Sequence, residues 1–278
     1  MKRCLSIFLS LSLIFSIFTV SDFSAFADNT NGNFTYSANG SGVTITGYKG
    51  YNSEIIIPSE IDGHPVTKIG QCAFENCHNL TSIHIPSSVT YICQYAFCYY
   101  YEGYYRILPV KKLYIDDLLS WNNCYREYDT GLCTSHDLYL NGDLVTDLVI
   151  PDGVTSIGDS AFEGCTGLTS VTISNSVTSI DESAFKDCTG LTSITIPDNV
   201  TNIGNSAFYG CTGLTSVTIS NSVTSIGESA FKDCTGLTSI TIPNNVTNIG
   251  NYAFKDCTKL KSVALSKKMS SIGFSTFS

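Results

Sequence analysis

Cysteine and histidine are the residues of this chain with the clearest potential for chemistry. The sequence contains twelve cysteines and four histidines. Such side chains bind metals when they recur at short spacing, and they form a nucleophilic pair when a thiol lies beside an imidazole. No CxxC, HExxH or Asp-rich loop is present, and the histidines are scattered: they are His64, His78, His84 and His136. We therefore expect no metal site, no cofactor and no enzymatic activity.

Five of the cysteines recur at a fixed interval that suggests a different role. They follow one another every 23 residues from Cys165 to Cys257, each three residues after a phenylalanine. A small apolar side chain suits a repeated buried position, so we expect free thiols in a core. Two cysteine pairs in irregular segments are candidate disulfides. These pairs are Cys93–Cys98 and Cys124–Cys133.

The interval of 23 residues governs most of the chain and predicts its architecture. The phrase LTSVTISNSVTSI occupies residues 168–180 and returns at 214–226. Phenylalanine recurs at the same interval, and self-similarity at such a period is typical of a solenoid of strand-containing coils. The phenylalanines are Phe162, Phe185, Phe208, Phe231, Phe254 and Phe277. A single coil buries too little apolar surface to fold alone, so each copy completes the core of its neighbour.

The order of residues within one coil predicts its local structure. LTSVTI alternates apolar and polar residues, which indicates a strand with one buried face. The following DSAFEGC predicts about one helical or 3₁₀ turn. A column between them holds residues expected to bend the chain with positive φ, a conformation that glycine and, less readily, aspartate adopt. The column consists of Gly158, Asp181, Gly204, Gly227 and Gly250.

The segments CTGLTSVTISNSVTSIGESAFKDC and IIIPSEIDGHPVTKIGQCAFENC resemble the BspA-like, Treponema-type leucine-rich repeats. The resemblance implies an α/β-type repeat solenoid, a right-handed superhelix with a parallel sheet on its concave side and short helical or 3₁₀ turns on its convex side. It also implies a secreted or surface-displayed bacterial protein linked to adhesion. The family supplies no catalytic residue.

Three segments are expected along the chain. Residues 1–27 have the layout of a secretory signal peptide, with cleavage after Ala27 and export to the cell surface or medium. Residues 28–52 predict a β-hairpin that caps the stack, and residues 53–278 predict about nine coils. Irregular insertions are expected at 98–109 and 122–144. Trp121 precedes Cys124 by the spacing that phenylalanine has elsewhere, so we expect it to be the core aromatic of the third coil.

Charge and composition limit the partners. The formal net charge is −9, with no basic stripe, which disfavours nucleic acid and anionic membranes, and no apolar stretch follows the leader. An extracellular protein or glycan is the expected ligand. One candidate surface is a tyrosine cluster, made of Tyr99, Tyr100, Tyr101, Tyr104 and Tyr105. The other is a hydroxyl array, made of Ser170, Thr172, Ser193, Thr195, Ser216, Thr218, Ser239 and Thr241.

Two functions are compatible with these features. The first is recognition or adhesion without catalysis, for which tyrosine is well suited because it provides large contact area at low entropic cost. The second is a structural spacer or self-associating surface-layer component. In that case, self-association is expected through the carboxy-terminal end of the stack, where SSIGFSTFS leaves apolar residues without a following coil.

Overall fold

The fold is a stack of short strands, most of which pair in parallel with their counterparts in the neighbouring coil. The computed structural model describes residues 29–40, 42–132 and 135–278, so the predicted leader lies outside the described residues. The amino-terminal strands are β1 (Asn29–Asn31), β2 (Phe34–Asn39) and β3 (Gly42–Tyr48). The irregular coils contribute β4 (Glu54–Ile56), β5 (Glu60–Ile61), β6 (His64–Ile69), β7 (Ser82–Ile85), β8 (Tyr91–Ile92), β9 (Cys98–Tyr101), β10 (Tyr104–Ile107), β11 (Lys112–Ile115), helix α1 (Leu118–Asn123), β12 (Tyr125–Arg126), β13 (Asp137–Leu140) and β14 (Asp143–Leu144). The regular coils contribute β15 (Asp147–Val149), β16 (Ser156–Ile157), β17 (Ser170–Thr172), β18 (Ser179–Ile180), β19 (Ser193–Ile196), β20 (Asn202–Ile203), β21 (Ser216–Ile219), β22 (Ser225–Ile226), β23 (Ser239–Thr241), β24 (Asn248–Ile249), β25 (Ser262–Ala264) and β26 (Ser271–Ile272).

One side of the stack is a parallel ladder of the longer strands, called here the long-strand ladder. In the irregular coils it runs β4, β7, β11, β13, and in the regular coils it contains the pairs β15–β17, β19–β21 and β23–β25. Partners in the regular coils are 23 residues apart, as Ile194 is from Val217. The strand predicted from LTSVTI is confirmed, and its alternation places isoleucine and valine inside and threonine outside.

A second side is formed mostly by two-residue strands, with the longer β3 and β6 at its amino-terminal end, and is called the short-strand ladder. It runs β3, β6, β8, β12 and then, separately, β16, β18, β20, β22, β24, β26. Its regular members end on an isoleucine, and Ile203 and Ile226 pair in register and are fully buried. The two ladders together make the chain a β-solenoid of stacked parallel strands.

The phenylalanine column forms a continuous stack through the regular coils. Neighbouring rings from Phe162 to Phe277 lie 5.2–5.5 Å apart and are nearly parallel. The rings from Phe162 to Phe254 are at most 1% exposed. Trp121 takes the equivalent place in the third coil: it is buried, and its indole Nε1 donates to the Ala161 carbonyl at 2.7 Å. The prediction that Trp121 is a core aromatic is confirmed.

The segment predicted as one helical or 3₁₀ turn is instead a run of hydrogen-bonded turns. The amide of Ala161 donates to Gly158, but the amides of Ser160 and Phe162 donate to the carbonyls of Glu182 and Ala184 in the next coil. These bonds between coils use the donors that a helix would direct within its own segment. In the described part of the chain the only helix is α1, where the Asp117 carboxylate caps the amide of Ser120 at 2.6 Å.

The glycine column has a different physical cause from the one that the sequence suggested. Its members, and Asp181 with them, do not have positive φ; the left-handed residue lies two positions later, as Ser206 (φ 53°) and Ser229 (φ 54°) illustrate. Glycine is required for close approach, because a Cβ added at Gly227 would meet the amide nitrogen of Asn205 at 2.6 Å. The prediction of a positive-φ bend at this column is therefore wrong.

Both ladders are interrupted where the irregular coils meet the regular ones. Among the described residues β13 does not pair with β15, nor β12 with β16. An isolated backbone bridge between His136 and Cys165 crosses this boundary. The side chain of Asn122 in α1 adds to it, donating to the Ser156 carbonyl at 2.9 Å and accepting from the amide of Gly158 at 3.1 Å. We call this region the junction.

Hairpins interrupt the repeat in three places. Strands β2 and β3 are antiparallel, as the Asn39-Gly40 signal predicts, and β3 pairs in parallel with β6 of the first coil. Strands β9 and β10 form a second hairpin. The LYLNGDLV segment forms the third, between β13 and β14, but β13 also continues the long-strand ladder beside β11. The sequence predicts only an irregular insertion there, at 122–144.

Candidate recognition surface

The junction contains the closest approach of a thiol and an imidazole. His136 Nε2 lies 3.4 Å from the Sγ of Cys165, and both residues are buried. Burial raises the pKa of the Cys165 thiol far above its ordinary value, so this group is a thiol and not a nucleophilic thiolate. The adjoining cavity is only about 20 Å³. The pair is a packing contact, and across residues 29–40, 42–132 and 135–278 no three His, Cys, Asp or Glu side chains gather as metal ligands do.

The regular cysteines have the role that their spacing predicts. All five are buried free thiols, and Cys211 Sγ donates to the carbonyl of Phe185 in the preceding coil at 3.2 Å. The candidate Cys93–Cys98 disulfide is wrong, because Cys93 carries a free thiol. Cys124 is buried, but Cys133 lies outside the described residues, so the Cys124–Cys133 disulfide stays a prediction.

The tyrosine cluster forms the β9–β10 hairpin and divides into anchors and exposed rings. Tyr105 stacks on Tyr95 with ring centroids 3.8 Å apart, and Tyr99 packs edge-on against His78 at 4.7 Å. These two rings fix the hairpin to the coils. The other three project outward, with exposed fractions of 55% for Tyr100, 55% for Tyr101 and 70% for Tyr104.

The hydroxyl array forms registered rows on the outer face of the long-strand ladder. Ser193 pairs with Ser216, and Thr195 pairs with Thr218 two residues further on. These side chains are exposed, apart from the half-buried Ser170, whose hydroxyl donates to an oxygen of Asp147 at 2.5 Å. The array is ordered as the sequence suggests, and its role in binding stays a prediction.

The same outer face carries an aromatic row in the irregular coils, which the sequence analysis did not identify as a site. Its five side chains occupy directly paired positions across all five strands of that sheet. From one edge to the other, they are Ile56, His84, Tyr114, Tyr139 and Leu144. In most regular coils the corresponding position is threonine, as at Thr172 and Thr195, and the first and last strands carry Val149 and Ala264 there.

Ring stacking and a hydrogen bond fix the centre of the aromatic row. The rings of Tyr114 and Tyr139 stack with centroids 4.4 Å apart and planes 21° from parallel. His84 Nε2 lies 2.6 Å from Oδ1 of Asp116, and its ring centroid is 6.3 Å from that of Tyr114. Ile56 and Leu144 at the two ends are 64% and 49% exposed.

A sequence signal for part of this row was available. Aligning the irregular strands on the threonine column places Ile56, His84 and Tyr114 in one line. Tyr139 was hidden because its segment falls within the irregular insertion expected at 122–144. No local pattern reports that β13 pairs with β11.

The short-strand ladder shows the same contrast between irregular and regular coils. Lys68 lies over the ring of Tyr91 at 4.2 Å, and Tyr91 and Tyr125 are neighbours at 5.0 Å. The Tyr91 hydroxyl donates to Glu127 at 2.5 Å, which raises the pKa of Tyr91 to about 12 and lowers the pKa of Glu127. Fourteen of the 16 tyrosines precede residue 140, so aromatic surface is concentrated in the irregular coils.

Comparisons with known proteins agree with this architecture. The chain matches the family model of the BspA type leucine rich repeat region in six copies, over residues 43–117, 135–229 and 179–278. Similar solved structures include the Treponema pallidum leucine-rich repeat protein (25% identity, 88% of this chain and 86% of that chain, TM-score 0.40). Others are a leucine rich cell surface protein of Faecalibacterium prausnitzii (24% identity, 90% and 91% covered, TM-score 0.36) and a leucine-rich repeat protein of Eubacterium ventriosum (19% identity, 89% and 92% covered, TM-score 0.45).

The remaining results concern curated proteins, membrane-spanning helices and the extent of the family match. No curated protein matches the chain significantly. The described part of the chain contains no helix with the length and apolarity needed to cross a membrane. The match of the family model extends over more than half of the sequence. The chain belongs to the BspA-type leucine-rich repeat family.

Proposed function

We propose that this protein is a secreted or cell-surface recognition protein that binds an extracellular protein or glycan without turning it over. The single observation that carries the proposal is the contrast between the two parts of the solenoid. The outer positions of the regular coils hold mainly serine and threonine, with Val149 and Ala264 in the first and last strands, whereas the irregular coils present larger aromatic and aliphatic side chains at equivalent positions. Protein surfaces rarely expose such groups together unless a partner covers them.

The exposed tyrosines of the β9–β10 hairpin are the proposed contact residues. Tyrosine combines a large apolar ring with a polar hydroxyl and loses little rotamer entropy on binding, so it dominates many recognition surfaces. Tyr100, Tyr101 and Tyr104 project from a hairpin whose other two tyrosines hold it against the coils. A rigid platform of this kind keeps the entropic cost of binding low.

Replacing Tyr100, Tyr101 and Tyr104 together by serine should reduce binding at least about tenfold, because hot-spot tyrosines each contribute above about 1 kcal/mol. Binding is measured by surface plasmon resonance against purified extracellular-matrix proteins and bacterial surface glycans. Thermal unfolding of the triple variant should match that of the wild type, because the three rings are exposed.

The matched control replaces the anchoring residues Tyr99 and Tyr105 by serine. Because these rings pack on His78 and Tyr95, the control should weaken binding and also lower the local stability of the hairpin, seen as faster amide exchange in β9 and β10. Wild-type binding by the triple variant would remove the hairpin from the recognition surface. Absence of binding by the wild type to every probe would contradict the proposed function itself.

The finer architecture is part of the same proposal. We expect the coils to wind right-handed, the sense that parallel strand connections adopt almost always, with the long-strand ladder on the concave side. The β2–β3 hairpin is proposed to cap the stack, and the support is that β3 supplies hydrogen-bond partners to β6. Without it β6 would present an open edge, which invites edge-to-edge association.

A structural spacer or self-associating layer is the second candidate. It is favoured by the apolar side chains of the final described coil, where Ile272, Phe274 and Phe277 are 47%, 70% and 41% exposed. Sedimentation velocity between about 1 and 50 µM tests it, because mass action makes association depend on concentration. Concentration-dependent oligomers abolished by Phe274→Asp would support self-association, and a monomer throughout would contradict it.

A further inference from the structure

The aromatic row is a continuous strip that folding alone does not explain. Four strand spacings of about 4.8 Å give it a length of about 19 Å. Its members point away from the core, which is formed by the alternate residues of the same strands, such as Ile83 and Leu113. The regular coils pack an equivalent core while they carry the smaller threonine, valine or alanine at this position. Large apolar side chains here therefore need an explanation outside the fold.

Ring geometry favours protein side chains over sugar rings as the contact. A sugar that stacks on an aromatic residue needs an open ring face. Tyr114 and Tyr139 each cover one face of the other at 4.4 Å, and Lys112 Nζ lies over the ring of Tyr139 at 5.9 Å. The ring of His84 lies 6.3 Å from that of Tyr114, so little open ring face remains for a sugar. Its two ends, Ile56 and Leu144, are aliphatic and about half or more exposed. Aliphatic and aromatic side chains of a protein partner are the natural counterpart of this surface.

An open pocket lies at each end of the strip. The first, about 610 Å³, is lined by Phe34, Tyr48, Glu54 and Ile56. The second, about 500 Å³, is lined by Leu118, Leu144, Val149, Asp143 and Asp147. Each pocket thus offers an apolar floor with carboxylates at its edge. Such pockets accept anchoring side chains at the two ends of a partner segment.

Carboxylates outnumber basic groups around the strip. On one side, a paired row of neighbours contains Glu54, Ser82, Lys112 and Asp137. On the other side lies Asp116, and Asp143 and Asp147 rim the second pocket. Only Lys112, with Lys111 before it, provides lysine on these strands. A partner with complementary charge carries lysine or arginine beside its apolar stripe.

We propose that the aromatic row and its two end pockets bind a basic amphipathic helix of a partner protein. A helix rises 1.5 Å per residue, so about 13 residues span the 19 Å strip. Its turns recur every 5.4 Å, close to the strand spacing of about 4.8 Å, so successive apolar side chains of one helical face meet successive strands. This inference rests on the proposed recognition function and names the class of ligand.

The test uses two synthetic helical peptides of about 18 residues with the same leucine pattern. One carries lysine at its polar positions and the other carries glutamate. Isothermal titration with the full mature chain should show binding of the leucine–lysine peptide, and at least tenfold weaker binding of the leucine–glutamate peptide. Equal binding of the two peptides, or binding of neither, would overturn the inference.

A variant that converts the row to the residue of the regular coils separates specific binding from simple charge attraction. Tyr114→Thr with Tyr139→Thr should weaken binding of the leucine–lysine peptide at least tenfold, and Thr195→Ser with Thr218→Ser is the matched control that should leave it unchanged. Amide exchange of β11 and β13 checks that the ladder is intact in both. If the variant with both tyrosines replaced bound the leucine–lysine peptide as tightly as the wild type, the peptide would be held only by charge attraction to carboxylates. That result would overturn the inference.

Failure here is distinguishable from failure of the proposed function. The hairpin variant at Tyr100, Tyr101 and Tyr104 should still bind the leucine–lysine peptide but should no longer bind the matrix or glycan ligand. If neither peptide binds while a matrix protein or glycan still does, the helix assignment falls and the recognition function stands. If the peptide binds through the row and no natural probe does, the row inference holds and the hairpin proposal falls.

Discussion

Raising the pH from 8 to about 10.5 is expected to remove most of the free energy of unfolding, through five buried thiols. These thiols are Cys165, Cys188, Cys211, Cys234 and Cys257. Burial raises the pKa of each above the ordinary value of 9.0, to about 12 for Cys257. The folded thiol therefore keeps its proton at a pH where the unfolded thiol has lost it.

The direction and size of the effect follow from that difference. The stabilising contribution is complete below pH 9 and is lost as the pH rises toward the folded pKa values. Each thiol removes about 1.4 kcal/mol per pH unit in this range, so five together remove on the order of 7 kcal/mol per unit. That is comparable with the whole stability of a typical domain.

Urea unfolding followed by circular dichroism at several pH values measures this slope. A variant with Cys188→Ala, Cys211→Ala and Cys234→Ala is the control, because it retains every tyrosine and lysine that also titrates above pH 9. Its slope should be smaller than that of the wild type by about 4 kcal/mol per pH unit, the share of the three thiols removed. Identical slopes for the variant and the wild type would mean that thiol burial does not govern alkaline stability.

Replacing Phe208 by alanine is expected to cost about 3–5 kcal/mol of the free energy of unfolding. The ring is fully buried and lies between Phe185 and Phe231, with centroid distances of 5.5 and 5.2 Å. Removal leaves a cavity in the middle of the stack and breaks two ring contacts. Neighbouring coils cannot close the gap, because the hydrogen-bonded ladders hold them at a fixed spacing.

Phe277→Ala is the matched control for this prediction. Its ring is 41% exposed and stacks on one neighbour, Phe254, at 5.4 Å. The expected loss is about 1 kcal/mol, since less apolar surface is uncovered and no enclosed cavity forms. Equilibrium urea unfolding of the two variants gives the comparison. Equal losses at the two positions would contradict a continuous core whose interior coils are more tightly held than the last one.

The regular coils were predictable because each of their signals is local and repeated. Alternation in LTSVTI specifies a strand, and the recurring phenylalanine specifies the core column. Trp121 could be assigned from spacing alone and is indeed buried. The turns and the glycines were misjudged, because their cause lies between coils. The Phe162 amide bonds to Ala184, and Gly227 approaches the backbone of Asn205.

The proposed recognition surface was only half predictable for the same reason. Five clustered tyrosines are visible in the sequence, but which rings are anchors depends on Tyr95 and His78, far from the hairpin turn. The aromatic row depends on the pairing of β11 with β13, and Tyr114 meets Tyr139 only through that pairing. Contacts between distant strands carry no local signature in a single sequence.

Because successive coils pair through the same positions, whole coils can be exchanged, and this determines how the molecule can change in length. Residues 165–210 and 211–256 are nearly the same text, and each strand offers its successor the same set of partners 23 positions on. Duplicating or losing one such block of two coils shifts the coils beyond it by about 10 Å, which is two strand spacings. Every interface between neighbouring coils keeps the same kind of contacts. The length of the solenoid can therefore change in steps of whole coils during evolution, while the contacts at its two ends stay the same.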